Sequence, residues 1–125
     1  MGTSNLGTPN RIGRYAKRYV TLRRNGDFTR LYKKGKCYVR RDFVCYITPS
    51  KRRVSRLGIT TTKKIGGAVV RSRARRVIRE AFRHYEAELR ERGVTGRYDF
   101  VFVARVCTAA AKSTALLRVM RGLSL

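Results

Sequence analysis

The side chains able to do covalent or acid–base chemistry are few and scattered. There is one histidine, His84, and the carboxylates are Asp27, Asp42, Glu80, Glu86, Glu88, Glu91 and Asp99. None of them is matched with the histidine in a recognisable catalytic motif. Cys37, Cys45 and Cys107 are odd in number and lack metal-ligand spacing. The sequence has no H-x-x-x-H, no nucleophile elbow and no phosphate-binding P-loop. His84 as a general base, or a cysteine as a nucleophile, has no support beyond the group itself. What the chain has in abundance is cationic side chains. The stretch from Lys63 to Arg83 reads KKIGGAVVRSRARRVIREAFR, with Glu80 its single acid. Guanidinium and ammonium groups at this density serve one chemistry well, the holding of phosphates.

The element that must position these cations is a helix. At about 100° per residue, Val70, Ala74, Val77, Ile78, Ala81 and Phe82 share one face. Arg73, Arg76, Arg79 and Arg83 fall opposite, while Arg71 and Arg75 lie at the edge of the apolar stripe. A charged helix face is ordinarily a solvated one, supported by i,i+4 pairs of opposite sign. Here Arg75–Arg79 and Arg79–Arg83 are like-charge pairs, and Arg76–Glu80 is the one opposite pair. Such a face repels itself until an anionic partner arrives.

The whole chain extends the same argument. It has 125 residues, enough for one domain with a modest core, and Lys plus Arg number 31 against 7 Asp plus Glu, a net charge of +24. A hydrophobic content of 42% is too high for a disordered basic tail. No apolar run is long enough to span a membrane, and no apolar segment follows the N-terminus as in a secretory signal. With three unpaired cysteines, the expectation is a cytoplasmic protein with reduced thiols. Nothing points to a small-molecule substrate.

Residues 1–20 read as a flexible basic arm carrying Arg11, Arg14, Lys17 and Arg18. An arm that settles on phosphates and a plain disordered end both remain open. Residues 21–125 read as a single RNA-binding α/β domain. Asn25 is expected to cap a short helix with Asp27 in its first turn and Gly35 at its end. That helix places Phe28, Leu31 and Tyr32 on one face, either all core or partly lining a groove. Cys37 to Thr48 reads as one long strand, with Val44, Tyr46 and Thr48 opposed to Phe43, Cys45 and Ile47. Arg56 to Thr62 reads as a second strand, paired to the first as an antiparallel hairpin. Gly66-Gly67 introduces the long helix, whose exposed N–H groups suit a phosphate, and Gly93 and Gly96 stop it. Tyr98 to Ala104 is a buried strand, and Thr108 is placed as the cap of a last helix. The order is α-β-β-α-β-α, an α+β fold with a small mixed sheet packed with helices.

The run RLGITTTKKIGGAVVRSRARRVIREAFR, preceded by LRRNGDFTRLYKKGK and the strand DFVCYI, resembles the protein subunit of bacterial ribonuclease P. The likeness covers about residues 22–105. It joins an N-x-DF helix opening, a spaced K-K-I-G and an R-x-R-x-(K/R)-R-x-I-R helix in order. The resemblance implies a subunit of an endonuclease that matures the 5′ end of tRNA, with hydrolysis done by the RNA subunit and no protein catalytic residue. It implies Mg²⁺ held by the RNA subunit and substrate, with none bound by protein side chains alone. The implied partners are the catalytic RNA and precursor tRNA, with no membrane. It also implies a left-handed β-α-β crossover, against the usual hand. Carried over residue by residue, a cleft for the 5′ leader falls on Phe28, Tyr32, Val44, Tyr46 and Thr60, with Arg71 and Arg75 at its rim. The contact to the catalytic RNA falls on Lys63, Lys64, Arg73, Arg76 and Arg79. The family's usual Arg-Asn-Arg is here Arg71-Ser72-Arg73, so the amide of the middle residue is missing. The residues themselves also fit a general RNA-binding module such as a ribosomal protein and, less well, a self-sufficient nuclease.

Overall fold

A computed structural model describes residues 19–50, 54–93 and 98–123. Five strands, β1 (Tyr19–Thr21), β2 (Lys36–Val39), β3 (Phe43–Pro49), β4 (Ser55–Thr60) and β5 (Tyr98–Ala104), form one sheet in the order β1-β4-β5-β3-β2. Helices α1 (Asn25–Lys34), α2 (Ala68–Glu91) and α3 (Ser113–Arg121) pack on it, and a short 3-10 turn, Lys63–Ile65, precedes α2. The fold is α+β with a mixed sheet. The strand β4 runs parallel to both β1 and β5, while β3 is antiparallel to β5 and to β2.

Strand β5 explains the architecture. Its residues YDFVFVA are apolar on both faces, so it needs cover on both, and it takes the sheet centre. Phe100 and Phe102 face α2 and stack edge-on against Phe82, at 4.9 and 5.8 Å between centroids. Val101 faces the other way, packing with Leu22 and Leu31, while Phe28, Tyr46 and Val103 close in around them. The helix α2 buries Ala74, Ile78, Ala81, Phe82 and Tyr85, and α3 adds Leu116 and Met120 to that side. So α2 and α3 form one layer, and α1 lies alone on the opposite face.

Several expectations from sequence require correction. The stretch Cys37–Thr48 is two strands, not one. Tyr38 faces the core from an even position, Phe43 and Cys45 from odd ones, and strand alternation permits this only across a turn. Arg40 N–H donates to the Phe43 carbonyl at 2.9 Å to close it. The expected hairpin between this stretch and β4 does not form, because β5 sits between them. The second strand ends at Thr60, leaving Thr61 and Thr62 outside it. The sheet begins at Tyr19, two residues inside the stretch read as an arm; the remainder of that stretch lies outside the described residues.

Two helix starts also differ. Arg24, not Asn25, is the N-cap of α1, and no side chain caps it, although Asp27 does lie in the first turn. Thr108 does not cap α3, which begins at Ser113. Its hydroxyl accepts the Arg105 N–H at 2.8 Å and donates to the Asp42 carbonyl, tying the loop after β5 to the β2–β3 turn. The helix α2 does end as expected, before Gly93 at φ +73°; Gly96 lies outside the described residues.

Candidate nucleic-acid interface

The site is built on the sheet face that α1 only partly covers. Even-numbered residues of β3 point there, as do Gly58 and Thr60 of β4 and Val101 and Val103 of β5. Phe28 and Leu31 of α1 press onto this surface, which leaves Tyr32 half out in solvent at 41% exposure. Gly58 makes the seating possible. A Cβ at this position would stand 2.7 Å from two ring atoms of Phe28. The Tyr32 hydroxyl shares a 2.9 Å hydrogen bond with Thr60 Oγ1, and its ring meets Tyr46 edge-on at 5.0 Å. Burial, then a hydrogen bond with the Cys37 side chain, raises the Tyr46 phenol above its ordinary pKa.

Phe28, Tyr32, Thr60 and Arg75 line one open hollow of about 440 Å³, together with Asn25, Thr29, Ile59 and Thr61. Arg75 Nη2 donates to Thr61 Oγ1 at 2.9 Å, which aims the guanidinium along the hollow's rim. Tyr46 and Val44 lie beyond Tyr32, on the sheet floor rather than in the hollow. Arg71 is half-buried one turn before Arg75, also outside its lining.

The other sequence-derived set lies on a separate edge. Lys63 and Lys64 are exposed on the 3-10 turn, and Arg73, Arg76 and Arg79 are exposed along α2. Arg73 and Arg76 line a shallow hollow of about 380 Å³ with Ala68, Val69 and Ser72. Gly66 (φ +143°) precedes it, and a Cβ there would stand 2.9 Å from Val70. Arg83 departs from the outward set: it is half-buried, with its Nε enclosed. The i,i+4 pair Arg76–Glu80 does not close into an ion pair; Glu80 instead accepts from Ser113 Oγ at 3.3 Å. Among the described residues, ion pairs engage Arg30, Arg56, Arg90 and Arg121 and leave Arg71, Arg73, Arg75, Arg76 and Arg79 without an acidic partner.

The Ribonuclease P family model matches residues 16–124. The chain belongs to the ribonuclease P protein family. It is 38% identical over 94 residues to the ribonuclease P protein component of Clostridium perfringens, covering 70% of this chain and 71% of that one. It is 41% identical over 90 residues to the corresponding Clostridioides difficile protein, at 72% and 75% coverage. Among solved structures it resembles the Staphylococcus aureus RNase P protein, with TM-score 0.67, 30% identity, and 81% and 88% of the two chains covered. The Thermotoga maritima RNase P protein matches with TM-score 0.65 and 27% identity, over 84% of this chain and 98% of that one. As a ribonuclease P protein component, the chain serves tRNA 5′-end processing.

Sequence reasoning missed several groups of this ribonuclease P protein. Thr61, which orients Arg75, lay in the strand pattern with no mark of its own. Asp99 did carry a signal, an acid inside an otherwise apolar strand. It is 1% exposed and takes the Arg56 guanidinium at 3.0 and 2.7 Å, while Arg30 of α1 reaches it at 3.2 Å. Arg56 also contacts Asp27 of α1 at 3.2 Å. The hydrogen bonds that Arg56 donates to Asp99, the largest cause, raise the Arg56 pKa above the ordinary arginine value. This network fastens α1 to β4 and β5 and so sets the position of Tyr32.

Proposed function

We propose that the protein works by holding two RNA strands at once, on the two edges of α2. The 5′ leader of precursor tRNA runs along the α1 face, with bases against Tyr32, Tyr46 and Phe28 and phosphates at Arg71 and Arg75. Val44 and Thr60 complete the floor. Single-stranded RNA is held in this way, by aromatic stacking beside a basic track. The catalytic RNA takes the opposite edge, at Lys63, Lys64, Arg73, Arg76 and Arg79. One observation carries the reading: Arg75 turns into an aromatic hollow while Arg73 and Arg76, on the same helix, face outward with no acid to occupy them.

Hydrolysis, in this reading, belongs to the RNA subunit, with Mg²⁺ held by that RNA and the substrate. The protein's acids are a poor fit for the ion. Among the described residues no three His, Cys, Asp or Glu side chains gather to hold a metal. Asp99, Asp27, Glu86 and Glu88 are already taken by guanidinium groups. No described helix is long and apolar enough to cross a membrane, and the three cysteines are free thiols; this supports a cytoplasmic setting. The test is reconstitution with a cognate catalytic RNA across Mg²⁺ concentration. The protein alone should leave precursor tRNA intact and should restore cleavage by the RNA at low Mg²⁺. Robust cleavage by the protein alone would defeat the reading.

A further inference from the structure

The floor beneath Tyr32 does not end at β3. Across the β2–β3 pair, Cys37 is the partner of Tyr46 and Val39 the partner of Val44. Cross-strand partners share a face, so both side chains continue the surface that carries Tyr46. The register aligns Thr60, Val103, Val44 and Val39 in one row over four adjacent strands. At about 4.8 Å per strand the row spans about 14 Å, room for more than one base. The helix α1 packs over β3 and β5, leaving Val39 at 62% exposure and Cys37 exposed. A single exposed valine needs no explanation. This one extends an aromatic floor without interruption. Lys33, in the last turn of α1, and Arg41, in the β2–β3 turn, are exposed cations. Neither has an ion-pair partner among the described residues.

We infer that the leader continues past Tyr46 onto β2, where Val39 and Cys37 contact nucleotides farther from the cleavage point than those at Tyr32. The polarity follows from α2: Arg75, on the helix whose opposite edge is proposed for the catalytic RNA, lies at the Thr60 end of the row, so the β2 end is distal. The inference rests on the leader-cleft reading above. It makes β2 the strand that senses leader length, and it makes position 37 a contact to the distal bases.

Cys37 supplies its own probe. Alkylation by N-ethylmaleimide, followed peptide by peptide in the reconstituted ribonucleoprotein, separates it from fully buried Cys45 and from Cys107, whose thiol donates to the Arg41 carbonyl. A non-cleavable precursor with a long leader should slow Cys37 labelling about tenfold or more, because a thiol covered by RNA is inaccessible to reagent. Mature tRNA and a precursor with a one-nucleotide leader should leave the rate unchanged. Val39→Glu, which sets a carboxylate against the leader backbone, should weaken long-leader binding by about fivefold and short-leader binding by less than about twofold. Equal labelling with every tRNA would overturn the inference. So would protection by mature tRNA, or by the catalytic RNA alone, since another surface would then cover β2. If Tyr46→Ala weakens precursor relative to mature tRNA while Cys37 stays equally reactive with every tRNA, the cleft stands and its extension fails. If neither responds to the leader, both readings fail together.

Discussion

Tyr32 joins α1 to two strands, bonding Thr60 through its hydroxyl and meeting the Tyr46 ring with its edge. Replacing Tyr46 or Tyr32 by Ala removes a stacking surface. It should weaken precursor tRNA relative to mature tRNA by about 1–3 kcal/mol, read by equilibrium binding to the reconstituted enzyme. Equal losses for both substrates would count against a leader cleft. Asp99 works at the same scale through burial. Asp99→Asn strips the charge that Arg56 and Arg30 share, at a site 1% exposed. Breaking a buried pair from one side costs about 3–5 kcal/mol, and the low end applies because Arg56 keeps Asp27 and some solvent. Urea unfolding measures that loss. Gly58→Ala should cost about 1–3 kcal/mol in the same assay, because the new methyl occupies the place of the Phe28 ring.

At the scale of elements, α2 divides its labour along its length. Its first half displays Arg73, Arg76 and Arg79, and its second half buries Tyr85, Glu86, Ala87 and Leu89. Arg73→Ala or Arg76→Ala should therefore weaken assembly with the catalytic RNA and lower the log–log salt slope by roughly 0.7–0.9 per lost phosphate contact. An unchanged slope would remove these residues from the RNA edge. The second half is tied to α3 by Arg121, whose Nε donates to Glu88 at 2.9 Å. That hydrogen bond, the largest cause, holds the Glu88 carboxyl below its ordinary pKa. A lowered folded-state pKa favours the native state above the unfolded value, and the benefit disappears as pH falls through the folded one. Glu88→Gln should thus cost at most about 1 kcal/mol at neutral pH, because the pair is partly exposed. The difference from wild type should shrink in melts as pH falls below the ordinary glutamate pKa and vanish only once the lowered folded-state pKa has also been passed.

For the molecule as a whole, a charge of +24 on 125 residues acts against compactness. The described ion pairs neutralise only a few of these cations, and the arginines proposed for the two RNA edges are not among them. Added salt should stabilise the isolated protein, raising its melting midpoint by roughly 5 °C between low and half-molar NaCl through screening of that repulsion. A fall in the midpoint would mean that local ion pairs outweigh it. A bound polyanion should achieve the same rise at far lower ionic strength, so RNA binding and folding stability are linked.

The division between sequence and tertiary structure follows from range. Local patterns determined the local facts: a 3.6-residue period in Val70–Phe82 placed α2 and its arginines, alternation in Phe43–Thr48 assigned the two faces of β3, and glycine placed the end of α2. The motifs of the resemblance, being ordered residue types, reached the family. Strand neighbours were not legible, because β5 lies far along the chain from β3 and β4, and only its need for cover on both faces sends it to the centre. Nor was the split at Arg40–Asp42, which shows as a change of parity once Tyr38 and Phe43 are seen on one face. Thr61 beneath Arg75, Phe28 over Gly58, and Asp99 between two arginines are contacts between distant segments. Their pairing was decided by the sheet that brought those segments together.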